Sequence, residues 1–186
     1  MTDFFGVPIQ ALLGQLMLGL VNGSFYAILS LGLAVIFGML NIVNFAHGAL
    51  YMVGAFFAWM LLNYAGIGYW ASLVIAPLGV ALIGVLIEKN MLQWLRQLDH
   101  LYGLLLTFGL ALIMEGIFRE FYGSSGNPYE LPAVFKGVFD LGFMMLPKYR
   151  IWVIVMSIVV CFATWYLIEK TRLGAYLRAG TENPQL

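Results

Sequence analysis

Asn41-Ile42-Val43-Asn44-Phe45-Ala46-His47-Gly48 is a polar word set between two long apolar runs. Two asparagines and one of the chain's two histidines stand where the flanking sequence is almost wholly lipid-like. A polar side chain inside a bilayer is expensive, so it persists where it pairs, lines a cavity or meets a solute. Reading outward, the run before the word covers 9–38 and the run after it covers 45–62. A helix needs about 20 apolar residues to cross the hydrocarbon core.

Three further runs meet that length: 69–94, 101–122 and 151–168. The expected fold is therefore all-α, a polytopic transmembrane helix bundle of about five spans. The first run is longer than needed and carries Asn22-Gly23-Ser24, so it is expected to tilt, kink or protrude. Pro77 marks an expected kink in the third. Composition agrees: 62% of the residues are hydrophobic and 10% charged, against about a quarter charged in soluble domains. Mean hydropathy is +0.92. No Lys or Arg precedes Lys89, so the basic n-region of a signal peptide is missing and the first run reads as a retained helix.

Basic residues orient the bundle. Lys89, Arg96, Lys170, Arg172 and Arg178 fall on one side, and Arg119, Lys136, Lys148 and Arg150 on the other. The majority side is taken as cytoplasmic, which leaves the N-terminus outside and 123–150 as an outer loop. Ser124-Ser125-Gly126-Asn127-Pro128 is a turn signal there. Val134-Phe135 and Val138-Phe139, around Lys136-Gly137, suggest a short hairpin.

Several function classes are excluded. Nine basic and nine acidic residues give a net charge of +0, so no footprint for nucleic acid exists. Cys161 is the only cysteine, and His47 and His100 belong to different span ends. No metal site or other cofactor is expected. No phosphate loop, His-Glu-x-x-His or Gly-x-Ser-x-Gly occurs, so the chain is not expected to be an enzyme. ATP-driven work would need its nucleotide site on another subunit.

Candidates for a solute path are Asn22, Ser24, Asn41, Asn44, His47, Thr107 and Glu115. Asn44 directly precedes the second span and can cap it. Gly103, Thr107, Ala111, Glu115 and Arg119 recur at i+4 and form one stripe, in which Glu115 and Arg119 can pair. Gly19, Gly23 and Ala27, then Ser30, Ala34 and Gly38, make small-residue stripes suited to close helix packing. In the tail, Leu173, Tyr176 and Leu177 form a short apolar face beside Arg172 and Arg178.

The stretch from Gly19 to Phe56 resembles the membrane permeases of high-affinity branched-chain amino acid ABC importers. The residues that carry the likeness are Leu20-Val21-Asn22-Gly23-Ser24-Phe25-Tyr26-Ala27 and Asn44-Phe45-Ala46-His47-Gly48-Ala49-Leu50-Tyr51-Met52-Val53-Gly54-Ala55. Leu105-Leu106-Thr107-Phe108-Gly109-Leu110 and Thr171-Arg172-Leu173-Gly174, with Arg178-Ala179 and Glu182-Asn183, fit as well. The resemblance implies an inner-membrane permease that works with a second permease subunit, ATP-binding subunits and a periplasmic solute-binding protein. It implies that 169–186 begins a cytoplasmic loop coupled to the ATPase through Arg172, Leu173, Tyr176, Leu177, Arg178 and Glu182. Phe45 and Ala49-Leu50-Tyr51 favour branched-chain amino acids over the urea and amide importers of the same type. Because family members continue past this loop, 1–186 is expected to be one permease domain, incomplete at its C-terminus. The rival expectations are an ion-coupled transporter using Glu115, and a non-transporting scaffold.

Overall fold

The computed structural model describes residues 3–4, 7–40, 44–95, 98 and 100–182. Five helices are long and apolar enough to cross a membrane. They are α1 (Ile9–Leu40), α2 (Ala46–Ala65), α3 (Tyr69–Ile87), α4 (His100–Tyr122) and α5 (Lys148–Lys170). A shorter helix, α6 (Arg172–Glu182), follows. The spans are helices because a helix satisfies its own backbone N–H and C=O groups where no water can. Large apolar side chains such as Leu16, Leu78, Leu82 and Phe121 remain exposed on the chain. This is the pattern of helices that are apolar all round.

Helix α1 runs unbroken through Asn22-Gly23-Ser24. The Ser24 hydroxyl is absorbed locally, donating to the Leu20 carbonyl at 2.8 Å. Pro77 also lies inside an uninterrupted α3. Further along, α3 continues into a π-helical turn at Glu88–Leu92 and a last turn at Gln93–Leu95. Helix α5 starts three residues before the expected 151, at Lys148. Pro147 supplies a preset φ of −58° just ahead of it, and the Lys148 ammonium lies 5.5 Å from the centre of the Phe139 ring.

The chain divides into two compact units, 1–34 with 131–186, and 35–130. In the first, Asp3–Phe4 (β1) pairs antiparallel with Val7–Pro8 (β2). The expected hairpin around Lys136-Gly137 is displaced. Ala133–Phe135 forms a 3-10 turn instead, and Val138–Asp140 (β3) pairs antiparallel with Met145–Pro147 (β4). The reason lies in the turn chemistry. The Asp140 carboxylate accepts from the Gly142 N–H at 2.8 Å, and Gly142 adopts φ +78°, which suits glycine. Leu146 and Phe135 are buried, with Phe135 stacked on Trp152 of α5 at 5.1 Å. Deeper along α5, Ser157 donates to the Ser24 carbonyl at 3.0 Å.

In the second unit, α2 packs on α3 and on α4. Small residues let the α2–α3 pair approach closely, as lipid-embedded helices require. A Cβ on Gly54 would touch Val80 at 3.4 Å, and Gly79 faces the Phe57 ring. The two helices are joined by a left-handed Gly66 (φ +66°) whose N–H returns to the Leu61 carbonyl. Along α2 and α4, the Phe56 ring packs at a tilt against Phe118 at 4.6 Å and Tyr122 at 5.2 Å.

Candidate functional site

The polar word resolves into a braced corner at the start of α2. The Asn44 carboxamide oxygen accepts from the Ala46 N–H at 2.9 Å. The Asn44 carbonyl accepts from the His47 N–H at 3.3 Å. Between them, the Phe45 N–H donates to Thr107 Oγ1 of α4 at 3.2 Å. Three consecutive backbone donors at the helix entrance are thus satisfied, where an α-helix otherwise leaves them orphaned.

Thr107 is fully buried. Its hydroxyl has one proton and two lone pairs. The proton goes to the Leu104 carbonyl at 3.1 Å, which turns a lone pair to Phe45. The Phe45 and Phe108 rings meet edge to face at 6.1 Å on the same joint. His47 is half-buried in the first turn of α2. Asn44, His47 and Thr107 therefore share one region, and Asn41 lies outside the described residues.

Glu115 lies eight residues beyond Thr107 on α4, about 12 Å along the helix at 1.5 Å per residue. It pairs with Arg119 at 2.5 Å, both side chains more than half exposed. Asn22 and Ser24 belong to the other unit, where Asn22 is exposed and Ser24 buried.

An aromatic cluster that the sequence reading did not single out as a group closes one end of the second unit. Trp59 contacts Tyr64 and Tyr122 edge to face at 5.8 and 5.5 Å. Its indole N–H donates to the Pro128 carbonyl at 3.1 Å, strapping the segment after α4 onto the rings. Tyr129 meets Tyr69 at 6.2 Å. Asn127 Nδ2 and the Tyr129 hydroxyl are buried without a hydrogen-bond partner among the described residues. Aromatic residues at span ends were the sequence signal; their convergence was not visible. Trp59→Phe keeps the ring and removes the bond to Pro128. We expect a loss of about 1 kcal/mol, read as about fivefold faster proteolysis of segment 123–130.

Beside the π turn lies an open cleft of about 530 Å³, lined by Ala81, Gly84, Val85, Glu88, Lys89 and Gln93. Glu88 and Lys89 of this lining lie in the π turn, and Gln93 follows it directly. Among the described residues, no group of three His, Cys, Asp or Glu is placed to hold a metal ion.

At the C-terminal end, Thr171 breaks the helix between α5 and α6. Its hydroxyl donates to the Leu167 carbonyl, and its carbonyl accepts from the Ala175 N–H at 3.3 Å. Leu173, Tyr176 and Leu177 are exposed on one face of α6, with 65%, 71% and 44% of their surface free. Arg172 is also exposed, while the side chains of Arg178 and Glu182 lie outside the described residues.

Five helices long and apolar enough to cross a membrane define a polytopic membrane protein. Residues 15–186 match the model of the branched-chain amino acid transport system permease component, and the chain belongs to that family. It is 26% identical over 184 residues to the high-affinity branched-chain amino acid transport system permease protein BraD of Pseudomonas aeruginosa, covering 92% of this chain and 59% of BraD. The match to LivH of Escherichia coli K12, with the same description, is 26% over 186 residues and has the same coverage. LivM of that organism is 38% identical over 84 residues, 45% of this chain and 19% of LivM. The chain thus spans about three-fifths of the length of BraD and LivH. No solved structure matches it. Membership and the five spans make it a multi-pass protein of the inner membrane.

Proposed function

We propose that this chain belongs to a permease subunit that carries branched-chain amino acids across the inner membrane as part of an ABC importer. ATP hydrolysis on partner subunits drives the transport, and a second permease and a periplasmic solute-binding protein complete the assembly. The observation that carries the reading is the family match over 15–186. The N-terminus is outside in this reading, and 123–150 faces the solute-binding protein.

Asn22, Ser24, Asn41, Asn44, His47, Thr107 and Glu115 are proposed to belong to the solute path or to its walls. Supporting this for the corner is the cost of keeping Asn44 and His47 within an otherwise apolar chain. Coupling to the ATP-binding subunit is assigned to α6, from Arg172 and Leu173 through Tyr176 and Leu177 to Arg178 and Glu182. A short helix that shows three large apolar side chains on one face has the pattern of a helix laid into a partner's groove.

The test uses the complete permease co-expressed with its partner subunits. Tyr176→Asp with Leu177→Asp should lower the co-purified ATP-binding subunit about tenfold or more, and uptake of labelled leucine should fall with it. Unchanged co-purification would remove the coupling assignment. Uptake of urea in place of leucine by the unmodified importer would replace the solute.

A further inference from the structure

The joint between α5 and α6 contains a glycine that is buried against backbone. Gly174 lies in the first turn of α6, and a methyl group built on its Cα would overlap the carbonyl oxygen and carbon of Ile168. Ile168 is in the last turn of α5. The obstacle is main chain, so no side-chain rotation can clear it. Gly174 is also not in the left-handed region, unlike Gly66, Gly123, Gly137 and Gly142. Its requirement is therefore for space: only a residue without Cβ lets the start of α6 approach the end of α5 this closely.

Two further contacts fix the same joint. The Thr171 hydroxyl donates back to Leu167, and the Ala175 N–H donates to the Thr171 carbonyl. Backbone contact at Gly174 and hydrogen bonds at Thr171 together restrict the direction in which α6 leaves α5. The face that carries Leu173, Tyr176 and Leu177 points wherever that joint sends it.

We propose that Gly174 is a positioning residue: it sets the exit angle of α6 and so aims its apolar face at the ATP-binding subunit. This rests on the coupling role proposed above for α6. Gly174 touches neither solute nor nucleotide, and it acts through the helix it orients. A methyl at 174 pushes α6 off Ile168 and re-aims that face, while the chemistry of the face stays the same.

The experiment places spin labels at the exposed positions 159 and 176 of the complete permease, one on α5 and one on α6, and measures their separation. Gly174→Ala should shift the distribution, whereas Ala175→Ser at the exposed neighbouring position should leave it unchanged. An unshifted distribution in Gly174→Ala overturns the proposal. Thr171→Val, which cuts only the hydroxyl bond to Leu167, should broaden the distribution. If Gly174→Ala does not accumulate, an unbroadened Thr171→Val overturns it in its place.

In the reconstituted importer, Gly174→Ala should lower solute-stimulated ATP hydrolysis about tenfold, while hydrolysis by the isolated ATP-binding subunits is unchanged. A shifted distribution with full stimulation overturns the role of Gly174 in aiming α6. Failure of the unmodified permease to bind the ATP-binding subunit is a separate result, which defeats the coupling reading itself.

Discussion

Thr107→Val should lower the unfolding free energy of the permease in detergent by about 2 kcal/mol, with Thr107→Ser losing much less. Valine has nearly the shape of threonine, so the cavity at this fully buried position hardly changes. What disappears is the acceptor for the Phe45 N–H, 3.2 Å away. The acceptor, Thr107, is itself fully buried, so its loss leaves the donor at a partly buried joint, where an unpaired N–H carries a desolvation cost. The Leu104 carbonyl loses little, because the hydroxyl is a supplementary donor to a helical carbonyl. Serine keeps the hydroxyl and gives up only a methyl group. Equal loss in the serine and valine variants would assign the effect to packing and count against the brace. The corner also sets where Asn44 and His47 stand, so leucine uptake should fall in Thr107→Val and persist in Thr107→Ser.

The spans were legible because each is announced by composition over about 20 residues. The first and fourth, expected at 9–38 and 101–122, end within two residues of the helices at 9–40 and 100–122. The fifth helix begins at Lys148, three residues before the span read at about 151, with Pro147 at its N-cap and Lys148 over the Phe139 ring. The hairpin slipped because Lys136-Gly137 and Asp140-Leu141-Gly142 both carry turn chemistry. The second pair of strands won through the Asp140 side-chain bond. The π turn has no mark in the sequence, since one extra residue per turn leaves no trace in composition. The bond from the Ala46 N–H to the Asn44 side chain was readable, being local, although Phe45 rather than Asn44 holds the N-cap position of α2. The brace of Phe45 by Thr107 was not, because those two residues are 62 positions apart and only the packing of α2 on α4 joins them. The family words Asn44-Phe45-Ala46-His47-Gly48 and Thr171-Arg172-Leu173-Gly174 could be recognised without their reasons. In the structure the first forms a braced corner and the second a joint that has no room for a Cβ at Gly174.

Gly79→Ala should cost about 2 kcal/mol of stability, and adding Phe57→Leu should return most of it. The argument begins with the α2–α3 pair, where a methyl on Gly79 would run into the edge of the Phe57 ring. Ala76 and Ser72, one and two turns earlier on α3, are buried. In lipid the helices gain nothing from merely hiding apolar surface from water, so their adhesion depends on close packing. A methyl group therefore either swings Phe57 away from its contacts or pushes the helices apart, and both forfeit dispersion contacts. Leucine at 57 removes the ring edge and makes room for the methyl. Phe57→Leu alone should also destabilise, because it leaves space against Gly79. The two losses should then be strongly non-additive, the double variant being more stable than their sum by more than about 1 kcal/mol. Simple additivity in a double-mutant cycle, measured by thermal unfolding in one detergent, would mean that Phe57 and Gly79 do not share this seam.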